Sequence, residues 1–197
     1  MYASEQDTPR IVQMRYEFRQ WLLSVDPRNL VFVDESGVNI GMSRLWARTI
    51  RGERAVGNKP RNTGENLSLL GALSLDGLIA SMSIKGSVDT DVFLTYLKRV
   101  LLPQLWHGAI VVIDNLRVHH AAIVRQTIEA AGARLVFLPP YSPDLSPIEL
   151  CWSKLKQFLR SHAARTYEAL HQAITQSINC VTEDDAWGWF AHCGLFT

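Results

Sequence analysis

Residues 30–34 read LVFVD, a short run of aliphatic, β-branched and aromatic residues that ends in an acid. Continuous apolarity without alternation predicts a β-strand that is buried on both faces. A second apolar run, at residues 109–113, also ends in an acid, Asp114, and a third run lies at residues 135–138. Three buried strands of this kind predict a partly parallel sheet.

Turn and capping residues divide the rest of the chain into a hairpin and several helices. Asp76-Gly77 separates two strand-like runs and predicts a β-hairpin. Apolar residues at helical spacing predict helices over residues 8–23, 89–103, 120–131 and 147–160, and from Thr166 onward. The order strand, hairpin, helix, strand, helix, strand, helix predicts the α/β class, with a mixed sheet flanked by helices.

Composition limits the function classes. The 197 residues include 20 Lys and Arg against 19 Asp and Glu, so the formal net charge is +1, and 47% are hydrophobic. These values predict one globular domain and exclude DNA binding by bulk charge, as in histones. The three cysteines argue against a disulfide framework, and no apolar run reaches the roughly 20 residues that cross a bilayer. We therefore expect a cytoplasmic protein.

The acids that end the first two strands predict a metal site. Neighbouring parallel strands lie about 4.8 Å apart, so Asp34 and Asp114 would meet at the carboxyl edge of the sheet, where ligands bind in open α/β folds. Two close carboxylates repel each other unless a cation lies between them, and oxygen ligands favour Mg²⁺ or Mn²⁺. The alternative for each acid is a turn residue or a helix N-cap.

Glu149 is the third candidate acid. It follows Ser146 at capping-box spacing, so it has a structural alternative. The helix that it opens has an apolar stripe, which places Glu149, Lys156 and Arg160 together on the adjoining polar face. A carboxylate followed by cations suits a metal site beside a phosphate backbone, whereas the alternative is a solvated helix face.

The flanks of the three acids resemble one known family. They read VFVDESG at residues 31–37, VVIDNLRVH at residues 111–119 and PPYSPDLSPIELCW at residues 139–152. Together they resemble the catalytic domain of the DDE transposases of the mariner superfamily, in its bacterial insertion-sequence branch. Thirty-four residues separate Asp114 from Glu149, as in the members of that family whose third acid is Glu.

The resemblance implies an RNase H-like (retroviral-integrase-like) catalytic domain at residues 30–165. Residues 1–29 would form an N-terminal helix and linker, and residues 166–197 a helical extension packed on the core. Two Mg²⁺ or Mn²⁺ ions held by the three acids would cut DNA and then transfer the strand to target DNA. Asn115 and His119 match the family's Asp-Asn-x-x-x-His segment and would orient substrate or a metal-bound water. Their alternatives are a helix-start Asn and a surface His.

A basic insertion at about residues 37–66 separates the first two strands. The insertion contains six cations that are candidates for DNA binding: Arg44, Arg48, Arg51, Arg54, Lys59 and Arg61. Lys156 and Arg160, in the later helix, are two further candidates. In the mariner superfamily the corresponding insertion is a clamp that reaches the other subunit of the paired-end complex. The alternative is a small hairpin edge on which Trp46 packs against its own domain.

The resemblance also predicts partners and leaves rival functions open. Transposon ends and target DNA would be the substrates, bound by a homodimer, with the protein associated with the bacterial nucleoid when it is active. Family members carry helix-turn-helix modules before the catalytic domain, whereas here one helix precedes the first strand. A separately encoded recognition half is therefore expected, the chain being a second reading frame, a truncated copy or a trimmed fragment.

Two alternative functions remain open: an RNase H-like nuclease without strand transfer, and an inactive remnant that binds DNA. Asp144 is expected to shape its Pro-rich turn.

Overall fold

The computed structural model describes residues 4–196, which form a five-stranded mixed sheet. The spatial order of the strands is β3-β2-β1-β4-β5, and only the pairs β1–β4 and β4–β5 are parallel. The strands are β1 (Leu30–Val38), β2 (Leu67–Ser74), β3 (Gly77–Lys85), β4 (Ile110–Ile113) and β5 (Arg134–Phe137). The predicted mixed α/β sheet and the predicted hairpin are confirmed.

Helices cover both faces of the sheet. They are α1 (Pro9–Leu22), α2 (Thr90–Tyr96), α3 (Ala122–Ala130), α4 (Pro147–His162), α5 (Tyr167–Asn179) and α6 (Glu183–His192). Leu30 and Phe32 point into a core formed with α1, α4, α5 and α6, whereas Val31 and Val33 point into a second core formed with α2 and α3. Both faces of β1 are thus buried, which explains why its sequence does not alternate.

Strand β1 does not end at its acid, contrary to the prediction. Its parallel pairing with β4 stops at Val33, opposite Ile113. Antiparallel pairing with β2 nevertheless continues, from Asp34 opposite Gly71 to Val38 opposite Leu67. Because β2 still supplies hydrogen-bond partners on one side, the backbone stays extended beyond the point where β4 ends. Asp34 therefore lies where β1 loses one of its two neighbours.

Two predicted helices have different bounds in the structure. Helix α2 ends at Tyr96 and continues as a π-helical turn, Leu97–Leu101, before Pro103. Helix α3 begins two residues later than expected, because a 3₁₀ turn, Arg117–His120, and an extended Ala121 precede it. None of the helices in residues 4–196 combines the length and the hydropathy that a membrane crossing requires.

The insertion between β1 and β2 contains no helix or strand from residue 39 to residue 66, as its composition predicted. Its two ends are held together by a 2.9 Å hydrogen bond from Asn39 Nδ2 to Asn66 Oδ1. Arg165, just after α4, donates from Nη1 to the carbonyl oxygens of Ile40 and Met42, each at 3.0 Å. The base of the insertion is thus fixed to the core, while the segment beyond it is exposed.

Candidate active site

Asp34, Asp114 and Glu149 line one pocket of about 380 Å³. The pocket opens beyond the carboxyl ends of β1 and β4, where the parallel pairing of these two strands stops. Its far wall is the Pro-rich segment at residues 138–143, which follows β5 and leads into α4. The structure therefore brings together the three acids that the sequence singled out.

Asp34 has the most strongly shifted pKa of the three carboxyls. Burial is the largest cause that, with the negative charges of Glu149 and Asp114, raises its pKa to about 7. Two donors act in the opposite direction: the backbone N–H of Glu35, and the indole Nε1 of Trp152 at 3.0 Å from Asp34 Oδ2. A carboxyl in this setting is poorly stabilised as an anion, which is the condition that a bound cation relieves.

The contact from Trp152 depends on a glycine in the neighbouring strand. Gly71 lies opposite Asp34 in the β1–β2 ladder, and a Cβ atom there would stand 2.6 Å from Cη2 of Trp152. The missing side chain leaves space for the indole ring across the sheet. Sequence reasoning placed Trp152 only in the buried stripe of α4, and the signal it missed was a glycine inside a buried strand.

Asp114 is held by hydrogen bonds. His119 Nδ1 donates to Asp114 Oδ1 at 2.6 Å, and the backbone N–H of Leu116 donates to the same oxygen at 3.1 Å. Burial alone would raise the pKa of Asp114, but these donors and the charge of His119 lower it below its usual value. His119 is 1% exposed and its ring lies 4.4 Å from that of Phe93, so the surface-histidine alternative is wrong. His119 does not line the pocket, but it is bonded to Asp114, which does.

Asn115 joins the ends of two strands. Its side-chain Nδ2 donates to the carbonyl oxygen of Leu138, just beyond β5, while the residue itself lines the pocket. It does not start a helix, since α3 begins at Ala122. This hydrogen bond fixes the wall of the pocket and uses one of the two N–H donors of the Asn115 amide.

Glu149 lies in the first turn of α4, and the capping box suggested by the sequence does not form. Ser146 is the N-cap residue, but its backbone N–H donates to the carbonyl oxygen of Pro143 at 3.0 Å and its side chain makes no cap bond. Within the described residues the Glu149 carboxylate makes no hydrogen bond and faces the pocket. Partial burial raises its pKa, Lys156 lowers it and Asp114 raises it.

The Pro-rich wall is tied to helix α1 by Arg15. The Arg15 guanidinium donates to both carboxylate oxygens of Asp144, at 2.9 and 2.6 Å, and to Ser142 Oγ at 2.7 Å. Asp144 therefore holds its turn in place and does not line the pocket, as the sequence indicated. Sequence reasoning missed Arg15, although this cation stands in the apolar stripe of α1 between Ile11 and Phe18.

Three of the eight predicted DNA-binding cations line a common cleft. Arg44 and Lys59 line a cleft with Arg160, near the end of α4, whereas Lys156 acts on Glu149. The four remaining cations are exposed on the insertion: Arg48, Arg51, Arg54 and Arg61. Trp46 is 89% exposed and belongs to no strand, so the alternative of a self-packed hairpin edge is wrong.

The donor set fits a hard divalent cation. Its members are the oxygens of three carboxyls within one pocket, where Asp114 and Glu149 raise the pKa of Asp34 and Asp114 raises that of Glu149. Among the described residues no three His, Cys, Asp or Glu side chains form a ready-made metal cluster.

Comparisons with known proteins agree with the fold. A search of curated protein sequences gave no significant match. Among solved structures, the chain is similar to the Mos1 transposase paired-end complex with the left transposon end (TM-score 0.82, 19% identity, 98% of this chain and 62% of that chain). It is also similar to the mariner Mos1 paired-end complex with Mg (TM-score 0.76, 19% identity, 99% and 62%). A third match is the Mos1 strand transfer complex (TM-score 0.76, 20% identity, 94% and 59%).

These structural likenesses establish an RNase H-like fold as in the Mos1 transposase, and the chain spans about three fifths of the length of those transposases. The sequence model of the DDE superfamily endonucleases matches residues 29–171, a range that contains all three acids, all five strands and helices α2, α3 and α4. The chain therefore belongs to the DDE superfamily endonucleases.

Proposed function

We propose that the chain is the catalytic part of a DNA transposase, which cuts a DNA strand and joins the new 3′ end to target DNA. The observation that carries this proposal is the convergence of Asp34, Asp114 and Glu149 on one pocket. Membership of the DDE endonuclease family supports it, as does the likeness to the Mos1 strand transfer complex.

The three acids would hold two Mg²⁺ or Mn²⁺ ions, in line with the metals in similar Mos1 complexes. Bound cations supply Lewis acidity, which lowers the pKa of an attacking water or 3′-hydroxyl and stabilises the leaving oxygen. The protein contributes orientation: Trp152 directs Asp34, and His119 directs Asp114. We assign His119 a positioning role and Asn115 a role in shaping the pocket wall, where it would contact substrate.

We assign DNA binding to the cations of α4 and of the insertion, none of which lines the pocket itself. Lys156 and Arg160 would contact phosphates beside Glu149, and the six cations of the insertion would contact DNA further away. The exposed apolar residues of the insertion, among them Trp46, suit a clamp on the second subunit of a homodimer. A separately encoded helix-turn-helix half, a bacterial insertion-sequence origin and a cytoplasmic, nucleoid-associated location remain predictions from the resemblance.

The direct test is a Mg²⁺-dependent cleavage and strand-transfer assay with Asp34→Asn, Asp114→Asn and Glu149→Gln. Each substitution keeps the shape of the side chain and removes a ligand charge, so each should abolish both reactions. Glu35→Gln is the matched control, since Glu35 is an acid next to Asp34 that does not line the pocket.

The outcomes separate the rival functions. Cleavage without strand transfer would indicate an RNase H-like nuclease. DNA binding without metal-dependent cleavage by the wild-type protein would indicate an inactive remnant. Normal cleavage by any of the three variants would remove that residue from the catalytic site.

A further inference from the structure

Tyr141 stands at the mouth of the catalytic pocket in an unusual conformation. Its backbone φ is 56°, in the left-handed region that a bulky L-residue rarely adopts, although it lines the same pocket as the three acids. Its side chain is 51% exposed, and its hydroxyl makes no hydrogen bond within the described residues. Neither packing nor hydrogen bonding thus explains a tyrosine at this position.

The surrounding structure holds this conformation in place. Ser142 Oγ donates to the carbonyl oxygen of Pro140 at 3.1 Å, so a hydrogen bond links the two residues that flank Tyr141. Arg15 Nη1 donates in turn to Ser142 Oγ at 2.7 Å, and the Arg15 side chain is largely buried by its pairing with Asp144. A buried cation from α1 thus fixes the segment that presents the exposed ring. Strained backbone that is held in this way is typical of functional sites.

We propose that Tyr141 binds DNA by stacking its ring on a nucleotide base next to the phosphate that is cut. The inference rests on the proposed function and extends it with a substrate contact beyond the acids and cations. Aromatic rings at single-stranded DNA sites stack on bases of any sequence, and an exposed ring beside a phosphate-cutting site is placed for this contact. Pro139, Pro140 and Pro143 limit the freedom of the segment, so little conformational entropy is lost on binding.

The test compares Tyr141→Ala and Tyr141→Phe in the full chain with Tyr16→Ala as a matched control. Tyr16 is a tyrosine of similar exposure, 58%, on α1, and it does not line the catalytic pocket. The probe is a frayed DNA duplex with 2-aminopurine beside the cleavage position, and the readouts are its fluorescence change on binding and the KM and kcat of Mg²⁺-dependent cleavage.

We expect Tyr141→Ala to lose the fluorescence change and to raise KM by roughly tenfold, with a smaller effect on kcat. Tyr141→Phe and Tyr16→Ala should behave like the wild-type protein, since the stacking ring is retained in the first and untouched in the second. An abasic nucleotide at the probe position should weaken binding by the wild-type protein and leave Tyr141→Ala unchanged.

Tyr141→Gly removes the ring without straining the backbone, because glycine adopts the left-handed conformation freely. A loss of binding in this variant therefore reports the loss of the ring and not a folding defect. A Tyr141→Ala or Tyr141→Gly protein that binds and stacks like the wild type would overturn the inference while leaving the proposed function intact. A wild-type protein that neither binds nor cuts the probe would overturn the proposed function and this inference with it.

Discussion

Among single residues, the three acids differ in how the protein supports their charge. Asp114 receives two hydrogen bonds, whereas Glu149 receives none within the described residues. Asp34 lies between these extremes: it accepts a bond from Trp152, yet burial and two neighbouring acids raise its pKa to about 7. The site is therefore arranged to bind positive charge at some cost to the stability of the metal-free protein.

This arrangement predicts a pH effect on stability that centres on Asp34. Its folded-state pKa of about 7 lies above the ordinary value of 3.8, so the folded protein binds this proton more tightly than the unfolded chain does. The contribution of Asp34 to stability is complete below about pH 4 and is lost as the pH rises through 7. In metal-free buffer, Asp34→Asn should remove this loss and be roughly 1 to 3 kcal/mol more stable than the wild type at pH 8.

Urea denaturation of both proteins between pH 5 and pH 8.5, with a chelator present, measures the effect. Equal pH dependence in the two proteins would show that Asp34 ionises normally in the fold. Addition of Mg²⁺ should stabilise the wild type and leave Asp34→Asn much less affected, since the variant lacks a ligand charge.

Among secondary-structure elements, the position of α4 over the sheet decides the geometry of the site. Gly71→Ala tests this position, because its new Cβ would stand 2.6 Å from Cη2 and 3.0 Å from Cζ2 of Trp152. The indole must shift and would lose its bond to Asp34. We expect a loss of about 1 to 3 kcal/mol in stability, typical of overpacking, and a fall in cleavage rate of at least tenfold.

Gly37→Ala is the matched control for this substitution. Gly37 lies in the adjoining strand, β1, and a Cβ there would meet nothing within 4 Å. Thermal unfolding and initial cleavage rates compare the two variants. If Gly71→Ala cleaves DNA as fast as Gly37→Ala, the contact between Trp152 and Asp34 is unimportant for the site.

Helix α1 stabilises the Pro-rich wall through a pair of charges. The hydrogen bond from Arg15 holds the pKa of Asp144 below its usual value, so the pair stabilises the fold above about pH 4 and less as the pH falls further. Arg15→Gln should cost about 1 kcal/mol at pH 7, after allowance for solvent screening, and less at pH 3.

Arg19→Gln is the control for Arg15→Gln, since Arg19 Nη2 lies 3.7 Å from the same carboxylate and its side chain is more exposed. We expect less than about 0.5 kcal/mol from this variant. Urea denaturation at the two pH values distinguishes them. An equal loss for both variants would show that general attraction, and not the bidentate bond, holds α1 to the wall.

At the scale of the whole molecule, the insertion carries large apolar residues that do not pack against the core. Leu45, Trp46, Ile50 and Val56 are exposed among cations, while Asn39, Asn66 and Arg165 hold the base of the insertion. Deletion of about residues 44 to 61 should therefore leave the core folded and impair dimerisation and strand transfer. Sedimentation of the wild type and the deletion variant, with and without DNA, measures the effect. Equal assembly and equal strand transfer would show that the segment is only a loop.

The sequence by itself determined the sheet and the acids. Local patterns were enough here, because a strand buried on both faces must be continuously apolar, and acids that follow the last pair of two parallel strands lie at one edge of that pairing. Residues 30–34 and 109–113 predicted the β1–β4 pair in this way, and the DDE endonuclease family followed from the motifs around the acids.

Only the tertiary structure decided how those acids are held. Trp152 reaches Asp34 across 118 positions of sequence, and Arg15 reaches Asp144 across 129, so no local pattern encodes either contact. The capping box at Ser146 was a plausible local pattern, but the preceding turn uses the N–H that Glu149 would have needed. Local propensity selects the elements, whereas competition among distant partners for space and hydrogen bonds selects the arrangement of the site.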